Sequence, residues 1–245
     1  MKHINYKLIF SLMIGVVLTS CIYDNYSPPS VQFSGRIVYQ GEPVNVKSSS
    51  GHDVNNANVY FYLYEPGWQK SNMPIRVVVN QDGSFSSLLF SADYKMVIPA
   101  GVGPYITSTD TTEISISSNK TMDINVTPYY MVRNPGYTMS GGLVTAAFSI
   151  EKIITGAQAQ DIQAVYLYIN RLLITDDSNN IAFTELDGSS ITDMNNMIMQ
   201  VRMPDLSTLG LGISTDQKTI FARIGIQINN VNNMLYSPVQ EITIN

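Results

Sequence analysis

One cysteine, Cys21, and two histidines, His3 and His52, are all that the 245-residue chain has of the side chains that most often ligate zinc or supply a nucleophile and its base. A lone thiol closes no internal disulfide, so the fold must rest on its cores. Histidine-cysteine zinc sites are excluded by count. With His52 in the polar stretch 48–56, a Ser-His-Asp or Cys-His arrangement would depend on that single residue. Basic residues are also few, 14 against 19 acidic ones, and they form no cluster. That excludes a phosphate-gripping nucleic-acid surface and a polybasic hold on anionic lipid. Apolar runs are short: the longest, Leu8 to Leu18, falls well below the roughly 20 residues a helix needs to span a bilayer. No stretch sustains a helical period, and Thr155 to Asp161 has room for one turn. The chain is nonetheless 44% hydrophobic and only 13% charged, a balance that folds and is unlike a solvated tail.

The N-terminus has a definite chemistry. Lys2 and Lys7 lead into the apolar run, which stops at Thr19-Ser20-Cys21. A charged start, a short apolar middle and small residues at the end describe an export signal. Leu18-Thr19-Ser20-Cys21 resembles the lipobox of bacterial lipoproteins, which implies cleavage before Cys21 and acylation of Cys21 with palmitate-type chains. Residues 1–20 are then the signal peptide, and several acyl chains anchor the mature chain stably in a membrane. Residues 21–30 form a lipidated tether, stiffened by Pro28-Pro29 at about 3 Å per residue.

From Val31 the sequence alternates. Val31, Phe33, Ile37 and Tyr39 share one parity, the period of a half-buried strand. Further strands are expected at Asn58 to Tyr64, Tyr94 to Ile98, and in two hairpins: Ile75 to Val79 with Ser84 to Phe90 across Asn80-Gln81-Asp82-Gly83, and Ile114 to Ile116 with Met122 to Val126. After Pro128 come Tyr129 to Val132, Tyr137 to Ser140, Leu143 to Ile150, Val165 to Ile169, Ile181 to Thr184, Met197 to Met203, Ile220 to Ile228 and Leu235 to Ile244, separated by Asn-, Gly- and Asp-rich turns. Short strands at regular spacing predict an all-β chain of two β-sandwich domains in series, 31–128 and 129–245.

Several segments resemble a known family. Cys21 to Pro29, Phe33 to Pro43, Val59 to Trp68, Gln81 to Phe85, Leu89-Phe90 with Tyr94-Lys95, and Val126 to Tyr130 are similar to a domain-of-unknown-function family of two-domain Bacteroidetes outer-membrane lipoproteins. That family is usually encoded beside the paired transporter and glycan-capture lipoprotein of starch-utilisation-type polysaccharide-utilisation loci. The first domain also looks like carboxypeptidase-regulatory and transthyretin-like sandwiches. Ala222 to Ile228 with Tyr236 to Val239 looks like the last hairpin of a fibronectin type III-like sandwich. The resemblance implies an outer-membrane location with a transporter and a capture lipoprotein as partners. Asp24 stands alone where exporters of surface lipoproteins favour clustered acids, so the choice between cell surface and periplasmic face stays open. Ser91-Ala92-Asp93 stands where the family commonly has a turn glycine.

Aromatic residues are the candidate binding feature, because sugar rings pair apolar C–H faces with hydroxyls. Trp68, the only tryptophan, lies in a loop with Glu65, Gln69, Lys70 and Asn72, and Tyr60, Tyr62 and Tyr64 lead into it on one face. Tyr129 and Tyr130 should brace the domain junction. Asp176, Asp177, Asn179 and Asn180 offer clustered oxygens to calcium, but without an EF-hand spacing a plain turn is the simpler expectation. Asp110-Thr111-Thr112 resembles a short O-glycosylation signal. The resulting expectation is a lipid-anchored, non-enzymatic protein without cofactor or metal that binds polysaccharide or oligosaccharide. The alternative is a structural subunit docking on a transporter complex with no glycan site of its own.

Overall fold

The structure, a computed structural model, describes residues 27–47, 59–65, 73–107, 111–205 and 218–244. In the first domain the chain forms β1 (Val31–Tyr39), β2 (Glu42–Pro43), β3 (Tyr60–Tyr64), β4 (Ile75–Val78), β5 (Ser84–Leu89), β6 (Ala92–Val97), β7 (Tyr105–Ile106), β8 (Thr112–Ile116), β9 (Lys120–Thr121), β10 (Ile124–Asn125) and β11 (Thr127–Pro128). The second comprises β12 (Tyr130–Ser140), β13 (Leu143–Lys152), β14 (Ile162–Asn170), β15 (Ala182–Asp187), β16 (Met197–Arg202), β17 (Thr219–Ile228), β18 (Leu235–Tyr236) and β19 (Gln240–Thr243). Among the described residues helix is confined to the single 3-10 turns Gly156–Gln158 and Gly188–Ser190, and none is long and apolar enough to cross a membrane.

Each domain closes two main sheets over an apolar layer, the all-β arrangement expected from the alternating strands, and in the first β7 and β11 form a separate two-stranded pair. In the first, β1 pairs with β2, β5, β9 and β10, and the facing sheet runs β4-β3-β6-β8. Phe33 and Phe85 from one sheet meet Phe61 from the other at ring separations of 6.4 and 5.0 Å. In the second, β12-β13-β16 packs against β15-β14-β17, with β18 and β19 both on β17. Val144, Ala146 and Phe148 pack opposite Val165, Leu167, Ile224 and Ile226, all buried.

The strands depart from the sequence expectation in four places. The turn at Asn80 to Gly83 forms, with Gly83 N donating to Asn80 O at 2.9 Å, but β4 continues against β3 and β5 against β1. The two strands therefore belong to opposite sheets and make an arch. Likewise β8 pairs with β6, while β9 and β10 run parallel to β1, so the expected hairpin at Ser118 to Lys120 is a second arch. Finally, Asn134-Pro135-Gly136 does not separate two strands. It is a bulge inside β12, where Asn134 takes φ 50° and the register to β13 shifts between Arg133 and Gly136. Leu235 to Ile244 divides instead, into β18 and β19 around Pro238.

Candidate functional site

β3 alternates as read: Phe61 and Leu63 are fully buried, and Tyr60, Tyr62 and Tyr64 stand on the outer face. Their rings form a ladder, 5.2 Å apart at 60° and 6.2 Å apart at 68°. Arg76, opposite Tyr62 on β4, lays its guanidinium 3.9 Å over the Tyr60 ring. Burial and the neighbouring Tyr62 raise the Tyr60 hydroxyl pKa against the opposing pull of Arg76. Tyr64 is 40% exposed at the far end. Edge-on rings divide this face into facets, so the ladder offers several small apolar surfaces in place of one plane. Trp68 and Gln69, expected to complete the site, lie outside the described residues, as do Cys21, His52 and Asp110. Thr111 and Thr112 are exposed.

A second aromatic face, on the second domain, was not singled out from the sequence. β14 sends Val165, Leu167 and Ile169 to the core and Tyr166 and Tyr168 to the opposite face, where Tyr166 is half-buried and Tyr168 is covered to 3% exposure. The two rings stack at 5.4 Å and 11°. Phe183 of β15, directly across from Tyr168, lies 6.0 Å from Tyr168 and 6.3 Å from Tyr166, and 54% of it is exposed. The Tyr166 hydroxyl donates to Gln227 Oε1 at 3.2 Å, and Glu185 is its cross-strand partner. Gly225 makes this packing possible, since a Cβ there would sit 2.9 Å from the Tyr168 ring and 3.0 Å from Tyr236. Tyr166-x-Tyr168 and Phe183-x-Glu185 are visible in the sequence. That they adjoin depends on the β14–β15 register.

One end of that outer face is covered by the first domain, and Arg223 is the bolt. It is fully buried on β17 and donates only to backbone carbonyls: Nε to Ser237 O (2.9 Å), Nη1 to Thr175 O (3.3 Å), and Nη2 to Val46 O (2.9 Å) and Gln81 O (2.7 Å). The last two acceptors belong to the other domain. Burial lowers its pKa to about 10 while Tyr236 and Asp176 pull it back up, so the guanidinium is charged at neutral pH. Beside it, Asp177 accepts from Lys47 Nζ and from the Tyr236 hydroxyl, both at 2.8 Å. Asp176 Oδ1 closes its own turn by accepting from the Ser178 and Asn179 amides and from Asn179 Nδ2. Asn180 Nδ2 donates to the Asp176 and Asp177 carbonyls. In the loop considered for calcium, Asp176 Oδ1 and both Asp177 carboxyl oxygens are engaged by the turn and the domain junction, while Asp176 Oδ2 is buried without a hydrogen-bond partner.

The second domain also carries a cleft of about 530 Å³ lined by Tyr130, Lys152, Asp161, Asp187 and Ser189 among others. Asp187 accepts from the Ser189 amide (2.8 Å) and hydroxyl (2.6 Å), which holds its carboxyl below the usual range and unsuits it as a proton donor at neutral pH. Asp161 accepts from Lys152 at 3.4 Å. Tyr130, expected at the domain junction, donates to Gln160 O within its own domain at 2.7 Å, whereas Tyr129 N reaches Pro104 O of the first domain at 3.1 Å.

Residues 31–127 match the family described as Protein of unknown function (DUF3823) N-terminal domain, and residues 130–241 match Domain of unknown function (DUF3823_C). No curated protein matches the chain. Among solved structures, a DUF3823 family protein from Bacteroides ovatus is 27% identical with a TM-score of 0.72, and one from Parabacteroides merdae is 26% identical with a TM-score of 0.74. Each alignment covers 89% of this chain and 100% of the other. A structure from Bacteroides uniformis, described as a candidate carbohydrate-binding protein, aligns over 88% of this chain and 100% of its own at 20% identity and a TM-score of 0.64. With both matches in order along one chain, the protein belongs to the DUF3823 family and carries its N-terminal and C-terminal domains.

Proposed function

We propose that this is a lipid-anchored, non-catalytic glycan-binding protein of the outer membrane, serving a glycan-acquisition system through Cys21 acylation and the outer faces of its two sandwiches. The observation that carries it is the Tyr166–Tyr168–Phe183 platform. A large apolar ring held 54% exposed on a stacked tyrosine pair, with a carboxylate and an amide alongside, matches the apolar face and hydroxyl rim of a pyranose. The Tyr60–Tyr62–Tyr64 ladder, with Trp68 following it in sequence, supplies a further contact. The carbohydrate-binding description of the structural relative from Bacteroides uniformis is in keeping with this reading.

The test is binding of the mature chain without lipid to a panel of plant, host and microbial polysaccharides, by affinity electrophoresis and calorimetry. Phe183→Ala should weaken binding by about ten-fold with the fold unchanged, and Tyr64→Ala or Trp68→Ala by less. Binding that none of these variants alters would overturn the assignment of the site. A structural-subunit reading has its own observation: Leu172, Leu173 and Ile174 are 69, 58 and 41% exposed in one loop, an apolar surface suited to a protein neighbour. If no polysaccharide binds, co-purification of membrane partners with wild type and with Leu173→Ser decides for that reading.

A further inference from the structure

Where the two domains meet, away from the residues that Arg223 contacts, a cleft of about 280 Å³ opens between the 101–107 segment and the turn after β17. Its wall is built by Tyr105, Thr107, Tyr129, Gln158, Gln160 and Asn230, with glycines and aliphatic residues filling the rest. Among the described residues, no side chain of the lining carries a charge. The size is near the lower end of ligand sites, roughly 300 Å³ and upward, and has room for one sugar ring.

Two features prepare this cleft for a polar occupant. Tyr105 is 3% exposed, yet its hydroxyl has no hydrogen-bond partner among the described residues. A buried hydroxyl left unpaired costs stability, and native folds retain few of them. Its position is imposed by Gly103, which takes φ +93° and whose missing Cβ would lie 2.2 to 2.6 Å from the phenol ring and its oxygen. Gly103 N is itself fixed by donating to Asn233 Oδ1 at 2.7 Å across the domain junction. On the facing wall, Asn230 at φ 60° donates its Nδ2 to Gln160 Oε1 at 3.0 Å. That contact orients both amides and leaves Gln160 Nε2 as donor and Asn230 Oδ1 as acceptor.

We propose that this interdomain cleft binds a single neutral sugar unit, with the Tyr105 hydroxyl and the Gln158, Gln160 and Asn230 amides as its hydrogen-bonding partners. The chemistry of the lining selects the class. Among the described residues of the lining an anion finds no cation and a cation finds no carboxylate, and an apolar ligand leaves the amides and the phenol unpaired. A neutral polyol supplies both donors and acceptors, and the Tyr129 ring offers its apolar face. The choice of a sugar over other neutral polyols rests on the glycan-binding function proposed above.

The test measures binding of methyl glucoside, galactoside, mannoside and N-acetylglucosaminide to the mature chain by ligand-observed NMR and calorimetry, with methyl glucuronide as the charged comparison. At least one neutral glycoside should bind more tightly than the glucuronide. Tyr105→Phe should weaken it roughly ten-fold, the worth of one hydrogen bond, and leave the ligand-free Tm unchanged or raised because an unpaired hydroxyl is removed. Gln158→Ala, at an exposed position, should weaken binding several-fold without affecting the fold. Absence of binding by all four neutral glycosides, equal affinity in Tyr105→Phe, or a ligand-free Tm lowered by that change would each overturn the proposal. Phe183→Ala separates the two sites: it should leave glycoside binding unchanged whether or not it abolishes polysaccharide binding.

Discussion

Arg223 has the environment that an apolar residue would be expected to occupy, fully buried on a strand whose alternate residues form the core. It is retained there because its planar fork reaches four carbonyls on four separate segments, a geometry that a single ammonium lacks. Removing it strands those carbonyls as well as losing charge-assisted bonds. Arg223→Ala should therefore cost on the order of 3–5 kcal/mol, and Arg223→Lys should recover little of it, as read from thermal and denaturant melts. A Lys variant as stable as wild type would show that charge alone, without the fork, suffices.

At the scale of the element, several turns are closed by carboxylates. Burial would raise the Asp82 carboxyl, but hydrogen bonds from the Ser84 hydroxyl and amide, with help from Arg36, outweigh it and hold it low. Asp187 and Asp193 are also lowered, by Ser189 and by Asn196 with Asn195 respectively. A carboxyl whose folded pKa is depressed contributes stability above its unfolded value of about 3.9, and loses it as pH falls through the folded value. The Tm should thus be level from neutral pH down to about 5 and fall below about 4, with a shallower acid limb in Asp82→Asn. An acid limb unchanged in that variant would detach the turn from the effect. These same turns show why local sequence does not assign strand pairing. Asn80-Gln81-Asp82-Gly83 carries the chemistry of a tight turn, and it does turn, but a turn dictates local direction and not which sheet the next strand joins.

Across the whole molecule the two sandwiches are joined by the buried Arg223 contacts and by several more exposed ones. Besides Arg223, Lys47 pairs with Asp177, Arg133 bridges Glu42 of the first domain and Glu151 of its own, Asn45 O accepts from Tyr236 N at 3.0 Å, and Gln81 Nε2 donates to Leu173 O at 3.2 Å. One hydrophobic cluster runs through both domains. Calorimetry should accordingly show a single unfolding transition, and Arg223→Ala should broaden or split it; two resolved transitions in wild type would mean that the junction does not couple the domains.

The all-β class, two sandwiches in order and the outward tyrosines of β3 were legible in the amino-acid order, because side chains alternate across a strand with a period that needs no partner. The lipobox resemblance and the scarcity of thiols and histidines are likewise local or compositional. What only the tertiary structure decided is everything that depends on which strand lies beside which. Tyr166 and Tyr168 become a platform only when the β14–β15 register sets Phe183 across from them. Arg223 becomes a bolt only when Val46 and Gln81 arrive from the other domain. The Tyr105 hydroxyl becomes a candidate ligand contact only when Gly103 and the turn after β17 close around it. Alternation encodes which side of a strand faces the core. Pairing is a long-range choice among strands with the same pattern, and it is resolved by the packing of the complete fold.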